Sequence, residues 1–166
     1  TALGCDVVIL DHITAAVANV MAGDGPGKGE REAIDEAMHK LRGVVTKTGV
    51  HLDIISQLRK PSGGVGYEEG ARIRTADLRG SGSLSSVPNT IIAMERNRQA
   101  PSDIVANTSI LRVLKNRYGG DTGVADALYY NRDTGMLQPQ AFEVDGDGDV
   151  TFGELGAMNN DASFSL

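Results

Sequence analysis

Several features that often define the class of a protein are missing from this 166-residue sequence. A single cysteine, Cys5, excludes an internal disulfide and predicts a reducing compartment. No apolar run approaches the roughly 18 residues that a membrane span requires, and the N-terminus lacks the basic-then-apolar pattern of a secretion signal. These absences predict a soluble intracellular protein with no membrane partner.

A phosphate-binding loop is also missing. No segment reads GxxxxGK followed by Ser or Thr, the pattern whose backbone amides and lysine bind nucleotide phosphates. Yet residues 6–10 form a short, β-branched-rich run that predicts a strand buried on both faces, and Asp11 follows it. A carboxylate at the C-terminal end of such a strand is a hard oxygen ligand of the type that holds Mg²⁺ beside phosphates. The sequence therefore predicts one half of a nucleotide site without the other half.

Charge is distributed unevenly between the body of the chain and its end. The overall composition, 40% hydrophobic and 23% charged, is typical of a globular protein. Residues 142–166 contain six acidic residues and no Lys or Arg, whereas residues 1–141 are neutral overall. We therefore expect one domain over residues 1–141 and a flexible acidic tail over residues 142–166. Because the chain opens on Thr1 directly before a core-like strand, we expect it to be cut from a larger protein.

The hydrophobic pattern predicts a mixed α/β protein. An amphipathic helix is expected over residues 30–47, with Gly49 in a terminating position, and a short helix over residues 81–87. Loops are expected at residues 19–29 and 59–74. Strands are expected over residues 6–10, 50–56, 90–95, 104–113 and 127–131, with a hairpin turn at residues 131–135. This order predicts an α/β sheet that is parallel at first and is completed by antiparallel strands.

A second polar residue, Gln57, follows the second predicted strand. Open α/β sheets keep their ligand crevice at the C-terminal ends of their strands, so Gln57 is placed to sense a phosphate or to orient a water. Lys115 and Arg117 lie between a predicted strand and a Gly-rich turn. An arginine so placed can reach the nucleotide of a neighbouring subunit, where it neutralises charge on a transferred phosphoryl group. The alternative for both sites is structural: a polar cap and a solvated charge pair.

The predicted loop over residues 59–74 combines glycines with scattered cations. A Gly-rich backbone with Lys and Arg can follow a phosphate chain without reading bases, which predicts sequence-tolerant, salt-sensitive binding of single-stranded DNA. Tyr67 is the one aromatic residue in the segment, so base stacking is not expected. The alternative is an ordinary surface loop. The cations in question are Arg59, Lys60, Arg72 and Arg74.

The order of several segments resembles the C-terminal half of the helicase domain of the replicative ring helicases. The segments read DVVILDHI, TGVHLDIISQLRKP, TADLRGSGSLSSVPNTIIAMERNRQ, LRVLKNRYGGDTG and LYYNRDTGMLQP. They are most similar to the primase-helicases of short-tailed phages and to mitochondrial Twinkle, and less similar to bacterial DnaB. The resemblance extends from about Cys5 to Pro139. It implies a RecA-like P-loop ATPase core within a homo-hexamer that hydrolyses ATP, or an NTP such as dTTP, and moves 5′ to 3′ along single-stranded DNA.

The resemblance also implies roles for nucleotide-site residues. Asp11 matches the Walker B aspartate that holds Mg²⁺ through water. Gln57 lies where the family places a residue that contacts the γ-phosphate and couples it to the DNA loop. Arg117 matches an arginine finger that acts in trans, with Lys115 as its companion.

Further roles are implied downstream. Tyr130 falls at the aromatic residue that stacks on the adenine, and Arg96 falls at an arginine of the nucleotide pocket. Arg79 lies in the motif that links a DNA loop to the core. The channel-facing loops of the family match the segment beginning at Arg59 and, approximately, the Gly-rich segment that contains Lys28.

Two parts of the family's site lie upstream of the segment to which Asp11 belongs. They are the phosphate-binding loop and the glutamate that activates the attacking water. Without the lysine and the amide cradle we expect Mg-ATP to bind poorly, so the isolated chain is predicted to be inactive. The alternative from another functional class is a non-catalytic module that binds DNA or intact subunits. A recombinase is disfavoured by the pairing of DLRGSG with KNRYGGDTG.

The acidic end permits two interpretations. Residues 143–154 align with a calcium-binding EF-hand loop, although Glu replaces the usual first Asp and an entering helix is not expected. The oxygen-bearing positions are Glu143, Asp145, Asp147, Asp149 and Glu154. The other interpretation is a tail that docks on a DNA polymerase, as in the phage relatives, with Phe164 as its aromatic residue. The resemblance implies the cytoplasm of a phage-infected cell, or alternatively a mitochondrion.

Overall fold

The computed structural model describes residues 4–23, 29–61, 64–80 and 82–153. The chain forms two compact units, each built from two stretches of sequence. Unit 1 comprises Thr1–Lys60 and Arg74–Pro88, and unit 2 comprises Pro61–Ile73 and Asn89–Leu166. The sequence predicted one body over residues 1–141, whereas the chain crosses between the two units within that range. None of the described helices is long and apolar enough to cross a bilayer.

Unit 1 contains a parallel strand pair and helices. Its elements are β1 (Val7–Leu10), α1 (Ile13–Gly23), α2 (Glu30–Thr48), β2 (His51–Ile54), a 3-10 turn (Thr75–Asp77) and α3 (Ser83–Ser86). Strands β1 and β2 run parallel, with Val7 opposite His51 and Leu10 opposite Ile54. The predicted order of strand, helix and strand is confirmed for β1, α2 and β2, and α1 is an additional helix between β1 and α2.

Helix α2 forms where the sequence predicted it. Glu30 and Glu32 lie in its first turn and Lys47 in its last, which complements the helix dipole. Gly49 ends the helix with φ +73°, and its amide donates to the Val45 carbonyl. Glycine adopts this left-handed conformation without a steric penalty. The predicted helix end is confirmed.

Helix α1 begins directly after β1 and was not predicted. The sequence placed a loop at residues 19–29, but the helix continues to Gly23, so that prediction is wrong for residues 19–23. Ile13 and Val17 lie four residues apart and are both buried, so this helix presents one apolar face to the core. Alanines at positions 15, 16 and 18 favour the helix intrinsically. The sequence predicted a loop instead, because residues 19–29 are rich in glycine.

The core of unit 1 is formed by α1, α2 and α3. Its buried members are Ile13, Val17, Ala33, Ile34, Met38 and Leu84. Strand β1 packs against this core through Leu10, but Val7 and Ile9 are 55% and 67% exposed. The prediction that β1 is buried on both faces is therefore wrong in this structure. Within the described residues β1 pairs with β2 alone, and a two-stranded sheet leaves strand faces open to solvent.

Unit 2 is built on a four-stranded antiparallel sheet with strand order β3-β4-β5-β6. Its elements are β3 (Thr90–Glu95), α4 (Asp103–Asn107), β4 (Thr108–Asn116), β5 (Gly123–Asn131) and β6 (Met136–Pro139), followed by a separate hairpin of β7 (Phe142–Val144) and β8 (Val150–Phe152). The antiparallel strands predicted from the sequence are confirmed, but they form a sheet of their own.

The predicted strand over residues 104–113 begins too early. Residues 103–107 form the short helix α4, and β4 starts only at Thr108. Two side chains close this turn: Asn107 Nδ2 donates to the Asp103 carbonyl over 2.9 Å, and the Thr108 hydroxyl donates to the Ile104 carbonyl over 2.6 Å. Such local side-chain hydrogen bonds compete with strand pairing. The strand was predicted from the β-branched residues of the segment, which give no sign of these hydrogen bonds.

A buried ion pair on the four-stranded sheet of unit 2 also holds the loop of unit 2, Pro61–Ile73. Glu95 and Arg112 have side chains that are 6% and 11% exposed, and Arg112 Nε donates to both carboxylate oxygens at 3.0 and 3.1 Å. Glu95 Oε1 also accepts the backbone N–H of Ile73 over 2.8 Å. One carboxylate therefore pairs with a buried guanidinium and accepts the backbone N–H at the end of the loop that precedes residue 74.

Replacing Glu95 with Ala should lower the free energy of unfolding by about 3–5 kcal/mol, because Arg112 would stay buried without its counter-charge. Urea denaturation followed by circular dichroism measures this change. Glu68→Ala is the matched control, since the Glu68–Arg98 pair is exposed and 3.9 Å long. We expect that control to stay within about 0.5 kcal/mol of the parent. Equal losses in the two variants would contradict a special role for the buried pair.

Candidate functional site

Polar residues meet at the C-terminal ends of the parallel strands β1 and β2. Asp11 and His12 follow β1, and Gln57 lies three residues beyond the end of β2. Two backbone hydrogen bonds extend the alignment past the strands: the Ile55 amide donates to the Leu10 carbonyl over 2.9 Å, and the Ile13 amide donates to the Ile55 carbonyl over 3.1 Å. Asp11 is exposed at this edge. The strand ends thus present a carboxylate, an imidazole and an amide together.

The amide of Gln57 lies between two hydrogen-bond donors. The Ala15 amide donates to His12 Nδ1 over 3.2 Å, so a neutral His12 ring carries its proton on Nε2. Gln57 Nε2 is 3.3 Å from His12 Nε2, and Gln57 Oε1 is 3.5 Å from Nη1 of Arg79. His12 Nε2–H and Arg79 therefore both require the one amide oxygen. Rotating the amide by half a turn would exchange one donor for the other.

Arg79 connects this edge to helix α2. Its guanidinium donates to both carboxylate oxygens of Glu30, at 3.2 and 3.3 Å, and Glu30 begins α2. The backbone after it approaches α2 closely: Gly80 has φ +125°, and a Cβ there would lie 2.7 Å from Cδ1 of Ile34. Glycine is required at this position, which fixes how residues 78–80 pass over the helix.

Two of the predicted DNA-binding residues lie at the end of the first stretch of unit 1. The guanidinium of Arg59 donates to the carbonyls of Leu78 and Gly80, at 3.0 and 3.2 Å. Its backbone amide also donates to the Asp77 carbonyl over 2.7 Å. Arg59 therefore fastens residues 77–80 within unit 1. Lys60, the next residue, is exposed.

The loop of unit 2 that contains Arg72 is anchored along its length. The Glu69 carboxylate accepts the Gly66 amide over 3.0 Å, and the Arg98 amide donates to the Glu68 carbonyl over 2.9 Å. Gly70 has φ +90°, and a Cβ there would meet the Asn97 side chain at 3.0 Å. The described part of this loop is therefore held in a defined conformation, and its one cationic side chain is that of Arg72.

Arg117 lies immediately after β4, where the sequence predicted it. Its Nη1 donates to Asn89 Oδ1 over 3.4 Å, and its backbone amide donates to the Asn89 carbonyl over 2.9 Å. Asn89 Nδ2 in turn donates to the hydroxyl of Tyr118, which is 80% exposed. Partial burial, and then the neighbouring Arg117 guanidinium, lower the pKa of Lys115. Lys115 and Arg117 therefore place two cationic side chains at one end of the sheet.

Arg96 is bound to a buried asparagine. Its Nε donates to the Ala106 carbonyl over 2.7 Å and its Nη2 to Asn107 Oδ1 over 2.9 Å, and Arg132 Nε donates to the same oxygen over 3.1 Å. Asn107 and Arg132 line a depression of about 500 Å³ together with Tyr129. Tyr130 does not line that depression, because neighbouring residues of a strand point to opposite faces.

The described part of the segment aligned with an EF-hand loop, residues 143–153, lies in a β-hairpin whose turn is formed by residues 145–149. Strands β7 and β8 pair within the aligned segment, and strand β6 precedes it where an EF-hand has its entering helix. Asp145 Oδ1 accepts the amides of Asp147 and Asp149, and the guanidinium of Arg72 bonds to the same turn. Within residues 4–23, 29–61, 64–80 and 82–153, no three acidic, His or Cys side chains are grouped as metal ligands. Lys28, Glu154 and Phe164 lie outside the described residues.

Several site residues were missed by reading the sequence. His12 stands next to Asp11 and its position alone could have drawn attention to it. Glu30 was used only as a helix start, although an acid at the first turn can also pair with an arginine. Asn89 and Asn107 give no local signal, since their contacts join residues that are at least ten positions apart in most cases.

The chain is 43% identical over 155 residues to the DNA helicase/primase of Enterobacteria phage T3. The alignment includes 93% of the chain but 26% of the phage protein, so the chain spans about a quarter of the length of this relative. No protein-family profile matches the chain. Identity at this level over nearly the whole chain confirms the resemblance to the phage primase-helicases.

Proposed function

We propose that this chain, which is similar to a segment of a phage DNA helicase/primase, supplies part of an NTP-hydrolysing replicative DNA helicase. The relative's name supports a helicase-related role. The proposal goes further: a homo-hexamer that binds nucleotide between subunits and moves along single-stranded DNA inside the infected host cell. The observation that supports it most is the grouping of Asp11, Gln57 and Arg79 at the ends of two parallel strands.

The residues present suit a magnesium nucleotide. Asp11 provides a hard carboxylate oxygen at an exposed strand end and would hold Mg²⁺ through water, beside the phosphates of the nucleotide. When bound, Mg²⁺ neutralises charge that develops on the transferred phosphoryl group. Asp11 would hold the ion, and Arg117 would provide a second positive charge from a neighbouring copy of the chain. Both side chains are exposed, as such roles require.

We assign Gln57 the role of coupling nucleotide to DNA. Its amide lies between two donors: Nε2 is 3.3 Å from Nε2 of His12, which is next to Asp11, and Oε1 is 3.5 Å from Nη1 of Arg79, which lies in the segment that Arg59 fastens. A phosphate oxygen near Asp11 would hold the amide N–H of Gln57 on the side of His12 and its carbonyl towards Arg79, whereas without a phosphate the Nε2–H of His12 would attract the carbonyl instead. The proposal therefore assigns Gln57 the role of a two-position sensor.

The isolated 166-residue chain should not hydrolyse ATP, because it contains no phosphate-binding loop. The full-length polypeptide that carries this sequence should hydrolyse NTP faster when single-stranded DNA is added. A coupled phosphate-release assay with and without oligothymidylate measures both. DNA-stimulated hydrolysis by the isolated chain would overturn the first expectation. DNA binding without hydrolysis by the full-length polypeptide would favour a non-catalytic binding module.

A further inference from the structure

Hairpin β7–β8 holds a cation of the loop that is proposed to bind DNA. Nη1 and Nη2 of Arg72 donate to the main-chain carbonyl of Asp147 at 3.1 and 3.2 Å, and Nη2 also donates to the Asp149 carboxylate at 2.8 Å. Arg72 lies in the loop, and the two aspartates lie in the turn of the hairpin about 75 residues later. An acidic segment thus bonds directly to a basic one.

The turn is shaped around this guanidinium. Asp145 Oδ1 accepts the backbone amides of Asp147 and Asp149, at 3.0 and 2.9 Å. The Asp145 carboxylate therefore stabilises the turn itself. Gly148 has φ +78°, and a Cβ there would lie 3.5 Å from the Arg72 nitrogens. The Asp147 carbonyl and the Asp149 carboxylate are consequently directed at one guanidinium. This pair of oxygens matches what a phosphate group offers to the same donors.

The contact is open to competition. The side chains of Arg72 and Asp149 are 40% and 77% exposed, so water and ions reach both. Exposed ion pairs contribute little net stability, and a polyanion can displace one partner. The backbone on the loop side is fixed, because the Ile73 amide donates to the buried Glu95 carboxylate. Displacement would therefore release the hairpin turn while Arg72 stays in place.

We propose that hairpin β7–β8 is an intramolecular competitor of single-stranded DNA at Arg72. The Asp149 carboxylate and a DNA phosphate exclude each other at this guanidinium, so the hairpin weakens DNA binding and DNA binding displaces the hairpin. This inference rests on the proposed function, since it requires that the loop binds DNA. The role of this part of the acidic segment is then to occupy Arg72 of the same chain when DNA is absent.

The test is binding of a fluorescent oligothymidylate to the full-length polypeptide at several NaCl concentrations, with EDTA present and no nucleotide. Asp149→Asn removes the competing charge and should tighten binding about threefold to fivefold. Asp147→Asn removes the same charge two residues away, but Asp147 contacts Arg72 through its main-chain carbonyl alone in the contacts described above. That control should change affinity by less than about 1.5-fold. Arg72→Gln should weaken binding, lower the salt slope by about 0.7, and abolish the difference between the two aspartate variants.

Each result decides the matter. Equal effects of Asp149→Asn and Asp147→Asn would refute the competition. They would indicate that the overall negative charge of the turn, rather than the contact with Arg72, weakens DNA binding. A difference that persists in the Arg72→Gln background would refute Arg72 as the shared site. If the parent protein binds the oligonucleotide in a salt-sensitive way, either of these two results refutes only the competition and not the proposed helicase function. If the parent protein binds no oligonucleotide even at low salt, the DNA-binding part of the proposed function fails and the competition fails with it.

Discussion

Replacing Arg117 with Ala in the full-length polypeptide should reduce DNA-stimulated NTP hydrolysis by about 10³- to 10⁵-fold. In phosphoryl transfer, charge spreads over the oxygens of the transferred group, and an arginine supplied from outside the nucleotide's own subunit stabilises that charge. Arg117 projects from the end of β4 and is held by Asn89, so its backbone position is defined. Steady-state phosphate release at saturating NTP and oligothymidylate measures the loss.

Two further variants separate the finger from a general loss of charge. Arg117→Lys keeps the charge but loses the planar fork, so we expect it to recover only a small part of the activity. Arg98→Ala removes an exposed arginine elsewhere in unit 2, whose only described ion pair is the long one with Glu68. That variant should keep activity within about twofold of the parent. Intact DNA-stimulated hydrolysis by Arg117→Ala would contradict the finger assignment.

Replacing Asp11 with Asn should lower hydrolysis by about 10²-fold or more, since Mg²⁺ supplies several kcal/mol of charge stabilisation in the transition state. Asn keeps the shape of the side chain but removes the negative charge that attracts the ion. Because Asp11 is exposed, the substitution should leave thermal unfolding nearly unchanged. Hydrolysis assays over a range of Mg²⁺ concentrations measure the effect.

The matched control for this variant lies at the other end of the same strand. Asp6 precedes β1, is exposed, and contacts β2 through its carbonyl, which accepts the His51 amide. Asp6→Asn makes the same chemical change away from the C-terminal edge. We expect less than about a twofold effect. Equal losses for Asp6→Asn and Asp11→Asn would show that charge near β1, rather than a metal ligand at its end, is what matters.

The sequence predicted the elements whose signals are local. Helix α2 has an apolar stripe at helical spacing and a terminating glycine, and the structure confirms both. The hairpin between β5 and β6 follows from its turn residues: the Asn131 side chain accepts the amides of Asp133 and Thr134, and Gly135 has φ +70°. These features depend on neighbours within a few positions, which the sequence displays directly.

Features that depend on distant partners could not be predicted in the same way. Burial of β1 was inferred from its composition, but burial requires neighbouring elements, and the described residues leave Val7 and Ile9 exposed. The network of His12, Gln57 and Arg79 joins positions that are 22 and 45 residues apart. The acidic segment was expected to form a flexible tail, yet its first part is a hairpin that bonds to Arg72. In each case the missing information was which segments meet.

We propose that Asp11 of one copy and Arg117 of the next serve a single nucleotide site. This proposal is tested most directly by mixing the two inactive full-length variants, Asp11→Asn and Arg117→Ala, and assaying DNA-stimulated hydrolysis. Random assembly would place intact Asp11 opposite intact Arg117 at about a quarter of the interfaces. We expect the mixture to recover activity that neither variant has alone. A mixture that forms mixed oligomers and remains as inactive as its components would contradict it.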